Sequence, residues 1–98
     1  MNSLRTSVPL FAPGQIVATP GALALLERAN KPCWQFLSRH LRGDWGDALS
    51  QDDKTENELS LKEGFRLLSS YKVMDGEKLW IITEADRSAT TLLLPSEY

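Results

Sequence analysis

The chain changes its apolar period at Gly64, and that change does most to limit what it can fold into. Before this glycine the apolar residues recur at helical spacing; after it they alternate or run together, as strands do. FRLLSSYKV, then MDGE, then KLWIIT reads as a β-hairpin. Asp75-Gly76 is the favoured two-residue turn, because both central positions need positive φ. If that turn sets the register, Tyr71 pairs with Trp80 and Ser69 with Ile82 on one face. Lys72 then lies opposite Leu79, and Ser70 opposite Ile81, on the other. A second turn around Ala85-Asp86-Arg87-Ser88 leads into ATTLLLP, a third strand ended by Pro95. In that turn Glu84 and Arg87 form a surface pair worth under ~1 kcal/mol. Asp86 or Ser88 stabilises it by bonding to the local backbone.

Upstream, Gln15-Ile16-Val17-Ala18 is a short strand, and Thr19-Pro20 starts a helix with Thr as N-cap and Pro at the first helical position. Leu23, Leu26 and Ala29 share one side of it, with Leu25 adjacent, and Asn30 caps its end in the left-handed conformation. Pro32 opens a second helix, whose Cys33, Phe36, Leu37 and Leu41 make one face that includes His40; Gly43 stops it. Ser50, with Asp53 three residues on, caps a charged third helix over about 51–63, which covers an edge or a face of the sheet. The fold class is α+β: a short N-terminal strand, three helices, then a C-terminal three-stranded antiparallel meander forming one sheet packed by helices. Residues 1–98 make a single small domain, with an extended arm at 1–12, strand and helices at 13–63 and the meander at 64–95.

The densest cluster of reactive groups is RGDWGD, residues 42–47, just after His40. As chemistry, it offers a histidine base oriented by Asp44 or Asp47, the arrangement of a small hydrolase. It lacks a nucleophile and an oxyanion loop. The same residues suit a corner between helices: the aspartates accept backbone N–H bonds, the glycines take angles other residues resist, and Trp45 plugs the gap. The corner reading is the expected one. Cys33, His40 and Asp44 can share one side of a helix, yet one Cys and one His fall short of the ligand set zinc takes. No catalytic residue, metal or cofactor is expected, and the chain reads as a non-enzyme.

Charge bears on partners. Eleven basic residues against 13 acidic ones, net −2, with no visible basic cluster, disfavour nucleic acid. The alternative to a protein partner is DNA held by a local patch of Arg28, Lys31, Arg39 and Arg42, on or beside the first two helices. The single cysteine, Cys33, allows no internal disulfide, fits a reducing compartment and is expected as a small buried hydrophobe. No run approaches the ~18 apolar residues of a membrane span, nor the shorter run of a signal peptide, so a cytoplasmic location is expected.

Exposed aromatics mark interfaces best here, and Trp34, Trp45, Tyr71, Trp80 and Arg87 are the candidate partner-binding residues. The expected sheet is apolar on both faces: Leu68, Leu79, Ile81 and Leu92 against Tyr71, Trp80, Ile82 and Leu93. Two helices cover one face. The other calls for the arm, the third helix, a protein partner or a second copy of the chain.

The run LFAPGQIVATPGALALLERAN, through GDWGD, to FRLLSSYKVMDGEKLWIITEADRSATTLLLPSEY resembles a family of small plasmid-related proteins of proteobacterial plasmids and integrative elements, over roughly residues 10–98. The resemblance brings no catalytic residue or cofactor with it. It implies a setting: a bacterial accessory or regulatory protein of a mobile genetic element, acting through protein–protein interaction.

Overall fold

The computed structural model describes residues 8–98; residues 1–7 of the expected arm lie outside the described residues. In chain order the elements are β1 (Gln15–Ala18), α1 (Pro20–Ala29), α2 (Cys33–Leu41), α3 (Gln51–Glu63), β2 (Leu67–Met74), β3 (Glu77–Thr83), β4 (Ala89–Leu93) and a 3-10 turn at Pro95–Glu97. The fold is α+β. Its local stops and starts follow the chemistry of the caps. Thr19 Oγ1 accepts the Ala22 N–H at 3.1 Å, and Asn30 ends α1 at φ 54°. Ser50 Oγ accepts the Asp53 N–H at 3.1 Å, and Gly64 ends α3 at φ 78°.

The sheet has the order β1-β4-β3-β2. β2, β3 and β4 form the expected antiparallel meander, but β1 joins it parallel to β4, so the sheet is four-stranded and mixed. Parallel neighbours need a long crossover, and here all three helices lie within it.

The hairpin register also differs from expectation. Tyr71 pairs with Leu79, Ser70 with Trp80 and Ser69 with Ile81, because an irregularity between Lys72 and Met74 shifts the ladder. A bulge adds one residue to one strand and reverses the facing of everything beyond it. Tyr71 thus moves to the inner face with Leu67, Ser69, Leu79 and Ile81, and Leu68 moves to the outer face with Ser70, Trp80 and Ile82.

Inside, Ala22, Leu25, Leu26 and Phe36 pack on Tyr71, Val73, Leu79, Ile81 and Leu92 as one core. Leu23, grouped in the sequence with Leu26 and Ala29 on one side of α1, is 54% exposed, because the buried stripe runs through Ala22, Leu25 and Leu26. Cys33 is exposed at the first turn of α2, not buried. On the outer face Ile82 and Leu93 are buried. The Trp80 ring meets Tyr98 edge-on at 5.7 Å. Residues of the segment after α2, the start of α3 and Pro95 lie around this face, where Leu68 and Trp80 stay half-buried beside a hollow. Glu97 ties the C-terminal turn down: its carboxylate accepts Thr19 Oγ1 at 2.5 Å, the Gly21 N–H at 3.1 Å and the Leu94 N–H at 2.8 Å. These bonds, Thr19 first, hold its pKa below the ordinary carboxylate value.

Candidate functional site

RGDWGD is a corner, and its Asp44, Trp45 and Gly46 are bound into the structure. The Arg39 guanidinium grips Asp44 as a fork, Nε to Oδ2 at 2.7 Å and Nη2 to Oδ1 at 3.2 Å. That carboxylate also accepts the Gly46 N–H at 3.3 Å, while the Tyr71 hydroxyl donates to the Asp44 carbonyl at 2.6 Å. Burial pushes the Tyr71 phenol well above its usual pKa. The buried Trp45 indole donates to Glu58 Oε2 at 2.8 Å, joining the corner to α3. Asp47 is exposed.

The His40 ring bonds neither aspartate. Its Nδ1 lies 2.6 Å from Ser69 Oγ and its Nε2 2.9 Å from Thr83 Oγ1. Thr83 Oγ1 meets Thr90 Oγ1 at 2.7 Å, and Thr90 donates to the Pro13 carbonyl at 2.7 Å. A carbonyl only accepts, so the whole relay has one direction. Thr90 gives its proton to Pro13, Thr83 gives its own to Thr90, and His40 must therefore donate from Nε2. Ser69 in turn donates to Nδ1. Network logic thus assigns the neutral Nε2–H tautomer. Phe11 and Trp45 close over the ring edge-on, with centroids at 5.3 and 5.8 Å. Both nitrogens are occupied and the residue is fully enclosed, so His40 is a staple joining α2 to three strands and the chain before β1. A hollow of about 370 Å³ on the outer face, floored by Leu68, Ser70 and Trp80, is lined by neither His40, Asp44 nor Asp47.

This burial, and secondarily the charge of Arg87, lowers the His40 pKa from 6.5 to about 3. Between those values the unfolded chain binds a proton that the folded chain refuses. The contribution is whole above pH 6.5 and falls as pH drops toward 3, by up to about 1.4 kcal/mol per pH unit. Urea melts taken from neutral pH down to about pH 5 are expected to show this loss, and His40→Phe is expected to flatten it.

The other sequence candidates divide by exposure. Trp34 is 66% exposed on α2 and Trp80 is half-buried, whereas Trp45 and Tyr71 are interior and offer a partner nothing. Arg87 does not pair with the Glu84 carboxylate as expected. Its guanidinium donates to the carbonyls of Phe65 (2.7 Å), Ser60 (3.0 Å) and Glu84 (3.1 Å), clamping the turn to the end of α3. Asp86 accepts the Ser88 N–H at 3.0 Å, as expected. In the candidate DNA patch, Arg28 pairs with Glu77 at 2.8 Å and Arg39 with Asp44, and Lys31 donates to the Val73 carbonyl at 3.1 Å. Two of the four patch charges, Arg28 and Arg39, are thus paired with carboxylates, while Lys31 meets only a neutral carbonyl. Among the described residues, no three His, Cys, Asp or Glu side chains gather as a metal site, and no helix is long and apolar enough to cross a membrane.

What the sequence reading missed is the contrast between the two edges of the sheet. Along β2 the outward backbone groups of Leu68 and Ser70 are taken up within the chain. Asn57 donates to the Leu68 carbonyl at 2.6 Å and accepts the Leu68 N–H at 3.1 Å. The corner takes the next pair: Ser70 N–H donates to the Trp45 carbonyl at 3.0 Å and Ala48 N–H to the Ser70 carbonyl at 3.2 Å. An asparagine in mid-helix was the one available signal, since such a residue competes with the helix backbone and needs a reason to be there. Asn57→Ala is expected to cost about 2–3 kcal/mol by stranding both Leu68 groups, read as a lower midpoint in chemical denaturation.

β1 has no such cover. Gln15 N–H reaches Ser88 and Thr19 N–H reaches Leu92, both at 2.9 Å, so alternate residues face β4 and the N–H and C=O groups of Ile16 and Ala18 point outward. Among the described residues no hydrogen-bond partner meets them. Ile16 is 49% exposed and Val17 42%.

Fold and site together define a small α+β domain, a mixed four-stranded sheet with one edge covered at Leu68 and Ser70 and the other open at Ile16 and Ala18. No protein-family model, curated protein or solved structure matches the chain.

Proposed function

We propose that this chain is a non-enzymatic protein-binding module that receives an extended segment of another polypeptide on the open edge of β1. The observation that carries this reading is the asymmetry of the edges. Unpaired strand edges are hazards that folded proteins cover, and this chain devotes Asn57 and its corner to one while leaving the other bare. Backbone bonds to an added strand would supply affinity, and the exposed Ile16, Val17 and Leu23 side chains selectivity. The occupation of His40 and Asp44 in structural bonds supports a non-catalytic role. Resemblance to plasmid-related proteins supports an accessory or regulatory part in the cytoplasm of a bacterium carrying a mobile element.

Ile16→Pro tests the reading. Only an outward N–H is removed, and proline is tolerated at such edge positions. A partner captured by the tagged chain is expected to be lost with Ile16→Pro and kept with Arg42→Gln. Retention by a folded Ile16→Pro chain overturns the reading.

A further inference from the structure

We infer that β1 also pairs with itself: two copies of the chain join antiparallel about a two-fold axis at Val17, closing each other's open edge. This rests on the reading of β1 as a pairing edge, and it names one occupant of that edge.

The hydrogen-bonding pattern is self-complementary. With the axis at Val17, Ile16 faces Ala18 of the partner subunit and the two exchange N–H···O bonds. The symmetry repeats the exchange with Ala18 and Ile16 of the partner subunit. Val17 then meets its own counterpart at a non-hydrogen-bonded position, where side chains approach most closely. Two-fold pairing sets like residues against like, which penalises a charged strand; Gln15–Ala18 carries no charge. Length fits as well. Pro20 lacks the N–H that would carry the outward edge past Ala18, so pairing is confined to Ile16 and Ala18, the two residues a second copy meets. Leu23 adds exposed apolar surface on the helix that covers the face Ile16 belongs to.

Assembly stops at two. The joined sheet ends in β2 on both sides, and there Asn57 and the corner have already taken the outward groups of Leu68 and Ser70. Closed two-fold pairing follows rather than a fibre. Because the strand is short, the dimer is weak, at the small end of specific interfaces. It competes with any partner for the same backbone groups, so self-pairing regulates access to the edge.

Light scattering after size exclusion, from micromolar to millimolar chain, is expected to show the mass rising from one chain to two and no further. Val17→Lys and Val17→Glu are each expected to stay monomeric alone, by like-charge repulsion at the axis, and to form a mixed dimer when combined. Ile16→Pro, folded by circular dichroism, is expected to be monomeric throughout. A wild-type chain that stays monomeric at millimolar concentration overturns the inference, as does a dimer that survives Ile16→Pro. If a monomeric wild type binds a partner that Ile16→Pro releases, self-pairing is wrong and the proposed function stands. If a folded Ile16→Pro keeps both dimer and partner, both fall.

Discussion

Gly46→Ala is expected to lower stability by about 3–5 kcal/mol, a severe loss for a domain of this size. Two costs add. Gly46 holds φ at 97°, where an L side chain is strained, and a Cβ there would sit 2.0 Å from the Ser70 carbonyl oxygen. The contact is with backbone, at the atom that accepts the Ala48 N–H, so relief means prising the corner off β2. Gly64 is the control. It too has positive φ, but a Cβ there meets nothing within 4 Å, so Gly64→Ala is expected to cost only about 1 kcal/mol. Thermal melts of the two variants should differ by well over ~10 °C. Equal, small shifts would mean that the corner does not press on β2 as described.

His40→Ala is expected to cost about 4–5 kcal/mol, since it opens a cavity between Phe11 and Trp45, strands the Ser69 hydroxyl and removes the donor to Thr83. His40→Phe fills the space and still strands the Ser69 hydroxyl, for about 1–3 kcal/mol. Adding Ser69→Ala to His40→Phe removes the stranded group, and the double variant should recover much of the loss. That recovery separates a staple from a catalytic histidine, whose neighbours gain nothing from being made apolar.

How far the sequence could be read depended on the range of the interaction involved. Helix limits set by Thr19, Asn30, Ser50 and Gly64 were legible because a cap is a bond between residues a few positions apart. The corner was legible too, since glycine and aspartate spacing expresses local backbone demands. The hairpin's existence could be read from Asp75-Gly76, but its register could not. The bulge between Lys72 and Met74 moves one residue, and one residue exchanges the faces of Leu68 and Tyr71. Nor could the place of β1 be read, because four uncharged residues carry no pattern that selects β4 as a parallel neighbour. Long-range polar pairing was hidden altogether. His40 to Thr83 and Asn57 to Leu68 depend on where the chain returns, and no local period records that. α3 shows the same limit: it meets the sheet through buried Asn57 and Ser60, while its Leu59 faces solvent.

One edge of this sheet is held from within at Leu68 and Ser70, and the other is open at Ile16 and Ala18. Amide hydrogen exchange, followed residue by residue by NMR on dilute chain, tests this contrast most directly. The Leu68 and Ser70 amides, bonded to Asn57 and Trp45, are expected to exchange slowly, as slowly as amides inside the ladder. The Ile16 and Ala18 amides are expected to exchange quickly, while Val17 between them stays protected by β4. Slow exchange at Ile16 and Ala18 in the dilute monomer, or fast exchange at Leu68 and Ser70, would contradict the account.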